Sequence, residues 1–309
     1  MLGGYKGRIL RVNLTDLRVS VEPLKEEYVK KFLGGTGIAA KILYDELDPH
    51  VDPLSPWNKL VFMTGPLTGT LAPGCGRFVI ASKSPLTGIW GESGSAGYWG
   101  PELKFAGYDG IIFDGKAENP TYLWLNNENV ELKDAKHLWG KDTRQTEDIL
   151  RSELGRDIEV ACIGQAGEKL SLISSVMSRS RAAARSGLGA VMGSKKLKAV
   201  VVRGKMKVPL ADEKKTKELR NKYLAELGGH IVWLKPIGTP FLTVGNAKDG
   251  RTPVKNWGGI GIIDFPNPEP IGADAVIERR AKVFACYLCP IGCGGFMKAG
   301  KGEYKYEAG

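Results

Sequence analysis

Apolar and polar residues alternate with a period of two at the start of the chain. "GRILRVNL" and "RVSVEPL" carry that alternation on either side of the turn dipeptide "TD", which predicts a β-hairpin or meander. The period then lengthens. "EEYVKKFLGG" and "IAAKILYDEL" space apolar residues three and four apart, predicting two helices broken at Gly34, Gly35 and Gly37. Beyond them, short β-branched runs bounded by Gly, Pro or Asn predict strands: "KLVFMTG", "RFVIASKSP", "YDGIIFDG", "TYLWLN", "IEVACIG", "LSLISSV" and "LKAVVVRG". One helix interrupts them, "DTRQTEDILRSELG", with Asp142 or Thr143 as its N-cap. Near residue 207 the pattern changes. "VPLADEKKTKELRNKYLAELGG" brings Asp212 as a cap and leucines at 219, 224 and 227, an amphipathic helix followed by further helices and long loops. The expectation is an α+β protein, with a mostly β domain over 1–207 and the start of a helical domain over 208–309. No repeat of solenoid period is present.

Composition alters this picture at one point. Glycine supplies 41 of 309 residues, nearly double the usual share of about 7%. The clusters "GGTG", "GESGSAG" and "GGIG" mark tight turns or places where backbone approaches a ligand closely. The formal charge is +10 with a pI near 9.2, but Lys and Arg are spread along the chain. Their one concentration, "GSKKLKAVVVRGKMK", reads as a buried strand between solvated basic flanks. No nucleic-acid-binding motif accompanies the charge, so such a partner is not expected. Neither a run of about 18 apolar residues nor a signal-peptide h-region occurs in the chain. Grouped cysteines without an export signal point to a reducing cytoplasm.

Candidate chemistry gathers in three segments. "GCGRFVIASKSPLTG" and "GESGSAGYWG" set glycine-rich loops around a strand, with Arg77 in the first. Such loops bring backbone N–H groups to an anion and the arginine adds a planar fork; two plain hairpin turns are the alternative. "SRSRAAARSGLGAVMG" places Arg179, Arg181 and Arg185 among small residues. In a helix Arg181 and Arg185 would share a face, beside which a flat ligand could lie; a solvated basic helix is the alternative. "GGTGIAA" resembles a dinucleotide fingerprint but follows a predicted helix instead of a strand, so it reads as a break between helices. His50, His137 and His230 lack metal-ligand spacing, Cys162 reads as a buried strand residue, and Cys75 lies within the first glycine loop.

The third segment is "CYLCPIGC". Cys286, Cys289 and Cys293 stand as C-x-x-C-x-x-x-C, close enough for three thiolates to converge on one inorganic centre. A cubane iron–sulfur cluster takes four thiolates, commonly three near in sequence and one remote. Closed zinc sites take four N or S ligands. The spacing favours iron–sulfur and leaves zinc open. No cysteine follows Cys293.

Together these segments resemble the aldehyde:ferredoxin oxidoreductase family of tungsten or molybdenum pterin enzymes. The resemblance runs through "GRILRVNL", "GPLTGTLAPGCGR", "SKSPLTG", "GYWGPELKFAGYDGI", "RAAARSGLGAVMGSKKLKAV", "PVKNW" and "CYLCPIGC". It implies a β-rich first domain of two sheets on which a metal sits, held by two pterins (tungstopterin or molybdopterin) with Mg2+ bridging their phosphates. Helical domains would close over it and carry a [4Fe-4S] cluster. An aldehyde would become a carboxylic acid, and electrons would leave to ferredoxin. By the same resemblance Cys286, Cys289 and Cys293 are three cluster ligands, and Arg77 lies between cluster and pterin. Arg181, Ala182, Ala184 and Arg185 hug the pterin, as do Gly94, Ser95, Ala96 and Gly97 of the second glycine loop; archaeal members carry Asn where Gly94 stands. Glu307 matches a glutamate near the metal, able to act as general base, with Glu303 as its rival. Members of the family are about twice this length, which implies a missing C-terminal half or a complementary subunit, and a homodimer or larger electron-transfer complex. A non-catalytic iron–sulfur scaffold subunit, or an inactive truncated remnant, is the competing expectation.

Overall fold

A computed structural model describes residues 3–231, 234–298 and 306–308 of the chain. It divides into two compact units, Met1–Thr216 and Lys217–Gly309.

The first unit is built from two sheets of six strands. The opening hairpin forms as expected: β1 (Arg8–Asn13) pairs antiparallel with β2 (Arg18–Pro23). Helices α1 (Glu26–Phe32) and α2 (Thr36–Glu46) follow, with Gly35 at φ +51° between them. Then come β3 (Leu60–Thr64), β4 (Phe78–Lys83), β5 (Trp90–Ser95), α3 (Trp99–Phe105) and β6 (Gly110–Asp114). The first sheet has the order β2-β1-β6-β3-β4-β5, in which β6 runs parallel to β1 and antiparallel to β3.

The second sheet repeats that scheme. It contains β7 (Thr121–Asn126), β8 (Asn129–Asp134), α4 (Thr143–Leu154), β9 (Glu159–Cys162), α5 (Gln165–Glu168), β10 (Val176–Ser178), β11 (Arg181–Ala183), α6 (Leu188–Ser194) and β12 (Leu197–Arg203). Its order is β8-β7-β12-β9-β10-β11, and β12 runs parallel to β7 and antiparallel to β9. Each half therefore opens with a hairpin and ends with a seven-residue helix feeding a strand into the sheet's centre. The chain carries a duplication of topology that its sequence does not display.

Burial explains the sequence pattern. One core lies between the sheets and includes Leu10, Phe62, Phe78, Ile111, Leu123, Val200 and Val202. A second packs α1 and α2 on the far face of the first sheet, and a third packs α4 on the far face of the second. Central strands β3 and β12 are thus covered on both faces, which is why they read as unbroken apolar runs. Asp142 caps α4 and forms a full capping box with Gln145. Trp99 stacks within 4.5 Å of Phe78, and its indole N–H donates to the Val200 carbonyl at 2.9 Å, so α3 spans from one sheet to the other.

The basic flanks of β12 depart from expectation. Lys195 and Lys198 are fully buried, not solvated. Lys195 donates to the carbonyls of Pro56 and Gly115, and burial lowers its pKa to about 8. Lys198 meets Glu168 at 2.5 Å.

The second unit contains most of α7 (Glu213–Ile231), then α8 (Leu234–Ile237), α9 (Phe241–Lys248), α10 (Gly261–Asp264), α11 (Ala273–Arg279) and a three-stranded sheet of β13 (Arg280–Phe284), β14 (Gly294–Lys298) and β15 (Tyr306–Ala308). Ala247 is its one fully buried apolar residue among those described, while Trp257, Ile260 and Ile263 are exposed. No helix among the described residues is long and apolar enough to cross a membrane.

Candidate cofactor floor and thiol loop

The two glycine- and arginine-rich segments meet at one place in the first unit. Strand β5 is the edge of the first sheet and β11 the edge of the second, and the two edges lie against each other. Direct bonds join them. The Arg185 N–H donates to Ser93 Oγ at 3.1 Å, and Ser84 Oγ donates to the Ser186 carbonyl at 2.8 Å. At Gly91 an added Cβ would stand 2.8 Å from both Ser84 and Ser186, so glycine there permits the close approach.

Each arginine is set against a glycine. Arg77 Nη1 lies 3.7 Å from where a Cβ of Gly94 would be, and Arg181 Cγ lies 3.6 Å from that of Gly97. Gly97 adopts φ +101°, closed to side chains, whereas Gly94 has no such constraint. Arg77, Gly94, Ala184 and Arg185 are exposed, while Ser95 and Gly97 are buried; Ala96, Arg181 and Ala182 lie between. The backbone of Arg77 is held by Thr68, whose hydroxyl donates to its carbonyl at 2.9 Å. Two buried polar atoms beside the glycines have no protein partner, Ser95 Oγ and Glu92 Oε2. Buried polar groups are ordinarily satisfied, so these atoms suit a bound polar molecule. The arrangement fits a flat anionic group: side chains withdrawn at Gly94 and Gly97, two permanent cations beside them, and unused hydrogen-bonding capacity.

Arg181 and Arg185 do not share a helix face. "SRSR" turns a tight hairpin between β10 and β11, with Ser178 paired to Arg181 in register. Arg179 points elsewhere: it forms a two-pronged pair with the buried Glu159 of β9, at 2.9 Å from Nε, and its guanidinium carbon lies over the Tyr98 ring, 5.3 Å from the ring centre. Nearby, Glu102 of α3 accepts the Gly204 N–H at 2.9 Å; burial pushes its carboxyl up to about 7, aided by the charges of Glu159 and Asp157. Sequence reasoning passed over Glu159 and Tyr98. The signal was there for Glu159, a carboxylate inside the otherwise apolar run "IEVACIG", which burial obliges to find a cation.

In the second unit, residues 285–293 loop between β13 and β14, closed by the pair Phe284↔Gly294. This loop carries Cys286, Cys289 and Cys293, all free and half-buried. The Cys289 N–H donates to the Cys286 carbonyl at 3.0 Å, and positive φ at Leu288 and Gly292 bends the chain around them. Among the described residues no three Cys, His, Asp or Glu side chains converge on a single ion. Cys75 and Cys162 are buried in the first unit, where desolvation raises both thiols, Cys162 to about 12. Glu307 lies in β15 opposite Met297; Glu303 falls outside the described residues.

A family model for the N-terminal domain of aldehyde ferredoxin oxidoreductase matches residues 9–204, and one for domains 2 and 3 matches residues 210–309. A tungsten-containing aldehyde ferredoxin oxidoreductase of Pyrococcus abyssi is 45% identical over 299 residues, covering 94% of this chain and 48% of the relative. The WOR-like subunit of an aliphatic sulfonate oxidoreductase from Pyrococcus furiosus is 34% identical, covering 97% and 50%. Among solved structures, the BamBC active-site complex of benzoyl coenzyme A reductase with 1,5-dienoyl-CoA superimposes with a TM-score of 0.84 at 34% identity, over 96% of this chain and 48% of that one. The chain spans about half the length of the curated relatives it matches.

Proposed function

The chain belongs to the aldehyde ferredoxin oxidoreductase family, and from that premise we propose that it forms the cofactor floor and part of the electron outlet of an aldehyde-oxidising enzyme. The relatives are named as tungsten-containing oxidoreductases, so the group proposed on the floor is a tungsten (or molybdenum) bis-pterin. When bound, that group supplies two-electron oxidation of the aldehyde, with water giving the second oxygen of the carboxylic acid. The observation that carries this reading is the pairing of Arg77 with Gly94 and Arg181 with Gly97 along two abutting sheet edges.

The chain's own residues then have definite work. Arg77, Arg181 and Arg185 would offer guanidinium forks to an anionic ligand, with Mg2+ as a further cation for its phosphates. Ser95, Ala96 and Gly97, with Ala182 and Ala184, give the ligand's flat face a close backbone surface. Cys286, Cys289 and Cys293 would supply three thiolates to a [4Fe-4S] cluster, a one-electron carrier suited to passing electrons on to ferredoxin. Glu307 takes a proton from the attacking water. The exposed apolar residues of the second unit support a covering partner, either the rest of the family's second and third domains or a separate subunit, within a homodimer or larger complex. Five free thiols support a reducing cytoplasm.

The test is metal and pterin analysis of anaerobically purified protein with any chain that accompanies it. Tungsten or molybdenum with about four irons, and aldehyde-dependent viologen reduction, are expected. Iron without tungsten, molybdenum or pterin would mean an iron–sulfur scaffold subunit instead.

A further inference from the structure

The β10–β11 hairpin is weakly pinned by its own sheet. Its ladder to β9 registers only Met177↔Cys162, and its turn holds Arg179 at φ +51°, unfavourable for a residue with a Cβ. Something other than strand pairing must fix the turn that presents Arg181 and Ala182. The side chain of Arg179 supplies it. Its guanidinium grips Glu159, whose side chain is only 7% exposed, and stacks on Tyr98, the residue after Gly97. Arg151 stands 4.0 Å from the same carboxylate but is itself paired with Glu147 at 2.7 Å.

We propose that Glu159 is a positioning residue for the cofactor: through Arg179 it fixes the β10–β11 turn, and through the Arg179–Tyr98 stack it ties that turn to the glycine loop of β5. Both walls of the floor are thereby set by one buried carboxylate that touches no ligand. The inference rests on the reading that a pterin lies on this floor. A two-pronged arginine pair on a buried carboxylate suits the task because its geometry is fixed, and Glu159, once buried, holds the half-exposed Arg179 in place as the cation nearest to it.

Two measurements on the anaerobically purified native protein test it: amide hydrogen exchange, and the rate at which bound pterin is lost, read by fluorescence of the oxidised pterin. Glu159→Gln should speed exchange at residues 179–183 and pterin loss at least about tenfold, leaving amides of β3 and β6 unchanged. Tyr98→Leu should shift both in the same direction by less, and Tyr98→Phe, which keeps the ring, should retain pterin as the unmodified protein does. Because Tyr98 is exposed, its variants carry the test even where Glu159→Gln fails to fold. Unchanged exchange at 179–183, or acceleration spread over both sheets, would overturn the clamp. Unmodified protein without pterin would overturn the reading of the floor, while exchange at 179–183 still reports on the clamp itself.

Discussion

The two halves of the first unit share one topology and divide one task. In residues 8–114 the sheet edge that reaches the floor is β5, paired with β4 over six residues and rich in glycine. In residues 121–203 the equivalent edge is β11, only three residues long, which carries Arg181 and is followed two residues later by Arg185. In the proposed floor the first edge contributes space beside Arg77, and the second contributes Arg181 and Arg185. Each then enters a glycine at positive φ, Gly97 or Gly187, and a seven-residue helix. The difference teaches that a duplicated scaffold need not duplicate its chemistry. The long edge can dispense with side chains because its ladder holds it, whereas the short one must be fastened by a side chain.

The equivalence is best broken at the helices. Trp99→Ala removes the ring against Phe62 and Phe78 and the bond to Val200, and should cost about 3–5 kcal/mol in urea unfolding. The two turn glycines should separate next. At Gly187 a Cβ would collide with the Leu172 carbonyl as well as facing φ +65°, so Gly187→Ala should lose about 3 kcal/mol. Gly97→Ala meets only ordinary contact with Arg181, and its strain should cost about 1–2 kcal/mol. A subtler contrast is in pH. Glu102, in the first half, has a folded pKa of about 7 against its ordinary 4.5, because burial disfavours its charge. The folded state therefore binds the proton more tightly, so this contribution to stability is full below about 4.5 and lost as pH rises towards 7. Glu102→Gln should flatten that part of a stability–pH curve. Smallest of all, Gly94→Ala should change stability by less than about 0.5 kcal/mol, since no left-handed φ or close atom opposes it. It should nonetheless weaken pterin retention, by placing a methyl beside Arg77.

Much of the scaffold was legible because its strands are short β-branched runs that burial on both faces keeps apolar, as in "LVFMT" and "LKAVVV". The helix of "YWGPELKF" was not, nor was that of "GLGAVMGS", whose glycines are poor helix formers. Both helices form where packing between the sheets overrides propensity. "GESGSAG" likewise reads as a loop yet supplies β5, since pairing with β4 imposes the strand. At the floor, the residues were visible as glycine and arginine clusters, but their meeting was not, because it depends on sheet order. The split between Arg179 and its neighbours Arg181 and Arg185 required the hairpin.

The sheet order has a consequence for how the molecule is made. In each half the last strand synthesised, β6 or β12, belongs in the middle, flanked by strands that left the ribosome long before. Neither β1 nor β3 can complete its ladder until roughly a hundred residues have emerged, and these non-local pairings place the first unit among slowly folding topologies. Until then each nascent half holds an open slot with two unsatisfied strand flanks, which is the interval in which it most needs shielding from its neighbours.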